Sequence, residues 1–160
     1  MALPGWKAVS VVHSVEEMIA AYDRSGLTSM MAQEYIPWER YVRCLCVGRK
    51  QVLPVAWDPR QPHHARYREA PGYLSSELTG RVMEEALKLC GGLGYDMNTV
   101  EFAIRGNTPY AIDFTNSAPD FDVSSLGERY FAWVIETMSD LVIEKAVEGP
   151  YPTSTGYGSG

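Results

Sequence analysis

The chain has 160 residues, 46% of them hydrophobic and 21% charged, which is enough apolar material for one domain with a real core and excludes a disordered chain. Its net charge of −6 argues against a nucleic-acid partner, because phosphate binding wants a basic face. No apolar run approaches a membrane span, no signal peptide is recognisable, and three cysteines do not make a disulfide framework, so a reducing cytoplasm is the expected compartment.

In chain order, Val9 to Val12 form a short β-branched run. Ser14 and Glu17 then have the spacing of a capping box for a helix carrying Met18, Ile19 and Tyr22 and ended by Gly26. Three strand-like runs come after it, "SMMAQEYI", "RYVRCLCVG" and "QVLPVAW". Pro54 cannot donate to a ladder, so the third is expected at an edge or bulged. The proline-rich "DPRQPHHARYREAPGYL" reads as a functional loop. Ser75 or Ser76 caps a second helix with Leu78, Val82, Leu87 and Leu89 as its apolar positions, stopped by Gly91, Gly92 and Gly94. A hairpin, "VEFAIRGNTPYAIDFTN", comes next. Ser125 and Glu128 then open a last helix with Phe131, Val134, Ile135, Met138 and Val142 as its core stripe. The order β-α-β-β-β-α-β-β-α predicts an α+β fold with a mostly antiparallel sheet and flanking helices. The tail from 148 to 160 is polar and glycine-rich and is expected to fray.

The hairpin carries the chemistry. Strand side chains alternate faces, so Val100, Phe102 and Ile104 are expected on one side with Tyr110, Ile112 and Phe114. Glu101, Ala103, Ala111 and Asp113 then share the other. If Ile104 pairs with Tyr110, Glu101 lies opposite Asp113, and like charges roughly 5 Å apart on a sheet face are destabilising. Two such carboxylates share a proton or hold a cation. Asn116 adds a neutral oxygen, and the set suits a hard ion such as Mg²⁺ with nucleotide phosphates completing its shell. The plainer alternative is a solvated face with each acid near a Lys or Arg, since a register slip of one pair separates them. The small Ala103 and Ala111 favour a site, because they clear room above the sheet.

Beyond this chemistry, "TVEFAI" and "PYAIDFTNSAPD" resemble the carboxy-terminal metal-binding signature of the ATP-grasp superfamily, in its glutathione-synthetase-like and glutamate-ligase-like members. The resemblance implies that Glu101, Asp113 and Asn116 hold the Mg²⁺ of Mg-ATP. "MAQEYIPWERYVRCLCVG" looks like the segment lining the adenine pocket, which implies adenine contacts from Gln33, Glu34, Tyr35 and Ile36 and a ribose contact from Glu39. Arg43 and Arg60 match the family's basic residues and would offset charge on the transferred phosphoryl. "GWKAVSVVHSVEE" resembles the end of the nucleotide-covering loop with the strand and helix after it, which brings Lys7 toward phosphate.

The resemblance spans residues 5 to 147. It implies a partial ATP-grasp domain over 1–147, with 5–36 as the end of a small subdomain and 37–147 as a large one. It further implies an ATP-dependent ligase joining small carboxylate and amine substrates through an acyl phosphate, when completed by an amino-terminal lobe or partner chain. Three departures stand out. Asp113 and Asn116 are three apart where the family has two, "ALPGWK" keeps one glycine of a glycine-rich loop, and the upstream phosphate-binding Lys strand is not in this sequence. The last favours the alternative of a non-catalytic nucleotide- or metal-binding module for the chain alone. Two further arrangements are conceivable: Cys44 and Cys46 with His63 and His64 as a zinc set, whose spacing is not that of a closed structural site, and His63, His64, Arg60 and Arg66 as a loop closing over an anion.

Overall fold

A computed structural model describes residues 9–149. Three helices, α1 (Val15–Arg24), α2 (Ser76–Leu93) and α3 (Val123–Glu148), accompany five strands. The strands are β1 (Arg40–Val47), β2 (Gln51–Trp57), β3 (Tyr67–Arg68), β4 (Met97–Arg105) and β5 (Thr108–Asn116). They form one antiparallel sheet in the order β3-β2-β1-β4-β5. The α+β, mostly antiparallel expectation is met. β3 lies inside the proline-rich loop and pairs only with Ala56 and Trp57, so the sheet edge is open beside Pro54, where no N–H is available to bond.

Alternation along β1 and β4 sends Val42, Cys44, Cys46, Val100, Phe102 and Ile104 to one face, all buried. There they meet Leu78, Val82, Ala86 and Cys90, which recur every fourth position on α2 and so form one stripe. Ser75 caps this helix by accepting from the Leu78 amide at 3.2 Å. The helix runs through Gly91 and Gly92 and stops only at Gly94, in the left-handed region at φ 75°. Leu87 and Leu89, expected in the stripe, are only partly buried against the core.

The opposite face is covered along part of its length. Leu126 and Val134 of α3 pack on Leu45 and Val55. Elsewhere the face is met by chain from the loops, with Ile36, Tyr41, Trp57 and Ala103 forming a separate small core. α3 differs from its expected start. Asp122 is the cap, accepting from the Ser125 amide at 3.0 Å, and Gly127 at φ 74°, ψ 161° breaks the helix into two segments. That kink turns the long segment so that Val134 and Thr137 point inward while Ile135 and Val142, expected in the core, are 51% and 61% exposed.

The first third of the chain also departs from its reading. "SMMAQEYI" forms no strand, and Val9 to Val12 contribute one isolated bridge at Ser10. A strand needs a neighbour along its length for its backbone groups, and among the described residues neither run is paired beyond that single bridge. α1 forms with Ser14 as its cap, but none of its residues is buried, Met18, Ile19 and Tyr22 included. Residues 150–160, including most of the expected fraying tail, lie outside the described residues.

The two apolar positions Phe102 and Val142 separate core from surface. Phe102→Ala is expected to cost about 3–5 kcal/mol by urea unfolding. Val142→Ala, on the exposed side of α3, is expected to stay within about 0.5 kcal/mol of the parent chain.

Candidate functional site

The hairpin turns on Gly106, whose φ of 60° suits the first central position of a two-residue loop. From Arg105 opposite Thr108 the ladder runs Ile104–Pro109, Ala103–Tyr110 and Phe102–Ala111. This is one residue off the expected Ile104–Tyr110 pairing, and uninterrupted it would leave Glu101 opposite Ile112. A bulge absorbs Ile112 instead and sets Glu101 opposite Asp113. The acids therefore oppose each other as expected, by a different route. The same shift carries Tyr110 and Ile112 onto the side of Tyr41 and Ala103, and it pairs Ala111 with Phe102 on the α2 side. Only Ala103 of the two alanines clears space near the acids.

The ladder has a second irregularity. Two residues on β4, from Glu101 to Thr99, are matched by three on β5, from Asp113 to Asn116. The extra residue bends the strand without turning Asn116 away, because Asn116 Nδ2 donates to Thr99 Oγ1 at 3.1 Å. Thr99 and Glu101 share a face of β4. With its nitrogen so engaged, the amide presents its oxygen as the remaining acceptor. The three-residue spacing thus keeps Glu101, Asp113 and Asn116 on one side of the sheet.

Glu101 is only 2% exposed. Arg43, its register partner on β1, places Nη2 3.2 Å from Oε1, and Tyr41 donates its hydroxyl to Oε2 at 2.9 Å. Burial pushes the Glu101 carboxyl up to about 7, against the pull of Arg43 and Tyr41, and Asp113 adds to the rise. Burial and then Glu101 hold the Tyr41 hydroxyl far above its usual range. For Arg43 burial works against the charge, but Tyr67 and Glu101 outweigh it. Its Nη1 donates to the Tyr67 hydroxyl at 2.9 Å, and the guanidinium lies 4.9 Å from the centre of the Trp57 ring. Two buried donors here lack a partner: Arg43 Nε and Trp57 Nε1. Unsatisfied buried donors are costly, and an anionic or carbonyl ligand would satisfy them.

The other predicted residues divide. Ile36 packs with Tyr41, Trp57 and Ala103, so the segment expected to hold adenine does reach this face. Gln33, Glu34, Tyr35 and Glu39 are exposed, with the Glu39 amide donating to the Ile104 carbonyl at 2.9 Å. Arg60 is gripped by Asp58 through two bonds of 2.9 and 3.1 Å and stacks 4.4 Å over Trp38. Arg66 comes nearer to the acids: it lies 5.6 Å from the Trp57 ring, and its charge acts on Glu101. In the sequence it is one of several loop cations, and its only distinguishing signal is its place beside Tyr67, the register partner of Trp57. His63 pairs with Asp120 at 3.0 Å, away from the cysteines, which face α2. Among the described residues no three His, Cys, Asp or Glu side chains gather to hold a metal, so the zinc set is not formed. Lys7 lies outside the described residues.

No protein-family model matches the chain, and neither does any curated protein. Solved structures do. The D-alanine–D-alanine ligase of Bacillus anthracis complexed with ATP superposes with a TM-score of 0.67 at 18% identity, over 93% of this chain and 52% of that one. A second structure of that ligase gives 0.63 at 18% identity, over 91% and 53%. The fold is ATP-grasp. The chain spans about half the length of the ligases it matches, consistent with the carboxy-terminal part of an ATP-grasp fold. No helix among the described residues is long and apolar enough to cross a membrane.

The Glu101 carboxyl gives a pH signature. A carboxyl whose folded value lies above its ordinary 4.5 is penalised on ionising, so its stability is full below 4.5 and is lost as pH rises toward 7. In chelator-treated protein, unfolding at pH 5 and pH 8 is expected to show a loss of up to about 3 kcal/mol from this group. Glu101→Gln should remove that part of the slope.

Proposed function

We propose that this chain is the Mg-ATP-binding part of an ATP-dependent carboxylate–amine ligase. The observation that carries the reading is the alignment of Glu101 opposite Asp113, with Asn116 held on the same side, in an ATP-grasp fold. Two carboxylates and an amide oxygen are the hard donors that Mg²⁺ prefers, and Glu101, Asp113 and Asn116 would hold it. A bound magnesium ion would supply charge neutralisation between phosphate groups.

What this chain's own residues contribute is positioning and charge. Arg43, fixed by Tyr67 and Trp57, would set its positive charge beside the transferred phosphoryl. Arg60 is tied to Asp58, so Arg66 is the better second cation. Ile36 and Ala103 offer an apolar wall for the adenine, with the exposed backbone from Gln33 to Tyr35 beside it and Glu39 available for ribose. In the proposed reaction ATP phosphorylates the carboxylate and the amine displaces phosphate from the acyl phosphate. No covalent nucleophile of the protein is needed.

The half-length match to the ligases favours a second reading, a nucleotide-binding module that turns nothing over until another lobe or chain completes it. Calorimetry with ATP, with and without Mg²⁺, tests the shared core of both. Wild type is expected to bind ATP in a Mg²⁺-dependent manner, and Asp113→Ala to weaken this at least about 10-fold. Failure of wild type to bind with Mg²⁺ present, or binding indifferent to the substitution, would sink the assignment. ADP release against amino-acid mixtures then separates ligase from module.

A further inference from the structure

Asp113 and Asn116 stand on β5, the last strand of the sheet, and among the described residues β4 is its only strand neighbour. The ladder to β4 is also broken where these two residues lie. Between the pairs Glu101–Asp113 and Thr99–Asn116, two residues of β5, Phe114 and Thr115, oppose one of β4, Val100. A bulge of this kind interrupts the ladder and leaves backbone groups to find other partners. A slip of one residue here would carry Asp113 to the α2 face and away from Glu101.

Two consecutive residues of β4 meet the break with their side chains. Asn98 and Thr99 are 0% and 1% exposed, and as neighbours on a strand they point to opposite faces. On the α2 face, Asn98 Nδ2 donates to the Phe114 carbonyl at 3.0 Å, inside the bulge. On the site face, Thr99 Oγ1 accepts from Asn116 Nδ2 at 3.1 Å, at the far end of it. Both bonds run from side chains, so neither depends on the ladder that the bulge interrupts. Together they bracket the run from Asp113 to Asn116 from both sides of the sheet.

Packing gives no reason for an amide at position 98. Around it on the α2 face are Cys46, its β1 register partner, the apolar Val100, and Cys90, whose Sγ is 3.6 Å from Nδ2. Asn98 Oδ1 is buried with no partner. An orphaned buried oxygen lowers stability, and an apolar side chain of similar size would avoid that cost. A residue that breaks the packing rule in this way is expected where a site needs its geometry.

We propose that Asn98, together with Thr99, is a positioning residue that clamps the β5 bulge and so holds Asp113 and Asn116 in place for a magnesium ion. The inference rests on the metal reading of this site proposed above. Asn98 sets the β5 backbone that carries Asp113, and Thr99 turns the Asn116 amide so that its oxygen is left free.

The test compares Asn98→Leu, Thr99→Val and Thr99→Ser with wild type. Urea unfolding is expected to place Asn98→Leu at or above the wild-type midpoint, since the orphaned oxygen goes with the donor. Calorimetry with ATP, in Mg²⁺ and in chelator, gives the factor by which Mg²⁺ strengthens binding. Asn98→Leu and Thr99→Val should each reduce that factor about 10-fold with affinity in chelator unchanged, while Thr99→Ser, which keeps the hydroxyl, should retain it. NMR reads the clamp with no ligand present: cross-strand proton contacts between Glu101 and Asp113 should weaken in Asn98→Leu. An unchanged Mg²⁺ factor in Asn98→Leu would overturn the proposal, as would a lowered midpoint with the cross-strand contacts intact. If wild type shows no Mg²⁺ dependence, the metal reading itself fails, and contacts kept in Asn98→Leu would then overturn the clamp as well. Should Asn98→Leu fail to fold, Asn98→Val, smaller and equally without a donor, replaces it. Failure of both to fold would show that Asn98 serves stability, and the proposal falls.

Discussion

A carboxylate buried to 2% exposure between Arg43 and Tyr41 is the constraint around which this molecule is arranged. An ionised Glu101 without those partners would carry a large desolvation penalty. Register supplies them: Arg43 lies opposite Glu101 on β1, and Tyr41, two residues away on the same strand, reaches back to its other oxygen. Trp57 and Tyr67, which close the outer strands, then hold Arg43 from the far side. Four strands are thus tied to one acid, and the fifth brings a second acid against it.

The two faces of the sheet are treated differently, and the site lies where they differ. α2 seals its face with a stripe recurring every fourth residue. α3 covers the other face only near Leu45 and Val55, because Gly127 breaks the helix before its long segment begins. Beyond its reach stand Tyr41, Glu101 and Ala103, buried by loop residues rather than by a helix.

Much of this was legible in the sequence because it rests on local chemistry. The caps at Ser14 and Ser75 and the stop at Gly94 are all short-range signals. The opposition of Glu101 and Asp113 was legible too, although the pairing behind it was not. Alternation cannot see a bulge, which depends on how β5 bends around its neighbours, and two bulges happen to restore the side that simple counting assigned. The misreadings share a cause in tertiary context. "SMMAQEYI" has strand-like residues but no strand beside it, and Ile135 and Val142 fit a helical stripe that the Gly127 kink rotates outward. Arg66 was named only as one of a loop set that could close over an anion, and its place nearer the acids than Arg60 was not legible. Its nearness to Glu101 comes from β3, two residues long and too short to be seen as periodicity.

The electrostatics also bear on the order in which a ligand could assemble here. A lone cation approaching Glu101 meets the Arg43 guanidinium 3.2 Å from the same carboxylate, and must also displace the proton that burial keeps on Glu101 up to about 7. A lone polyphosphate meets Asp113 and whatever charge Glu101 carries. Each approach is opposed by the group that would welcome the other. On the proposed function, cation and anion arriving together would satisfy both sets at once: the acids and Asn116 would take the cation, and the Arg43 guanidinium beside Glu101 would offset the anion. On the proposed function, a site whose opposite charges are this close, and this dry, favours the neutralised metal–nucleotide pair over either component, which is a preference built from burial and not from any single ligand contact.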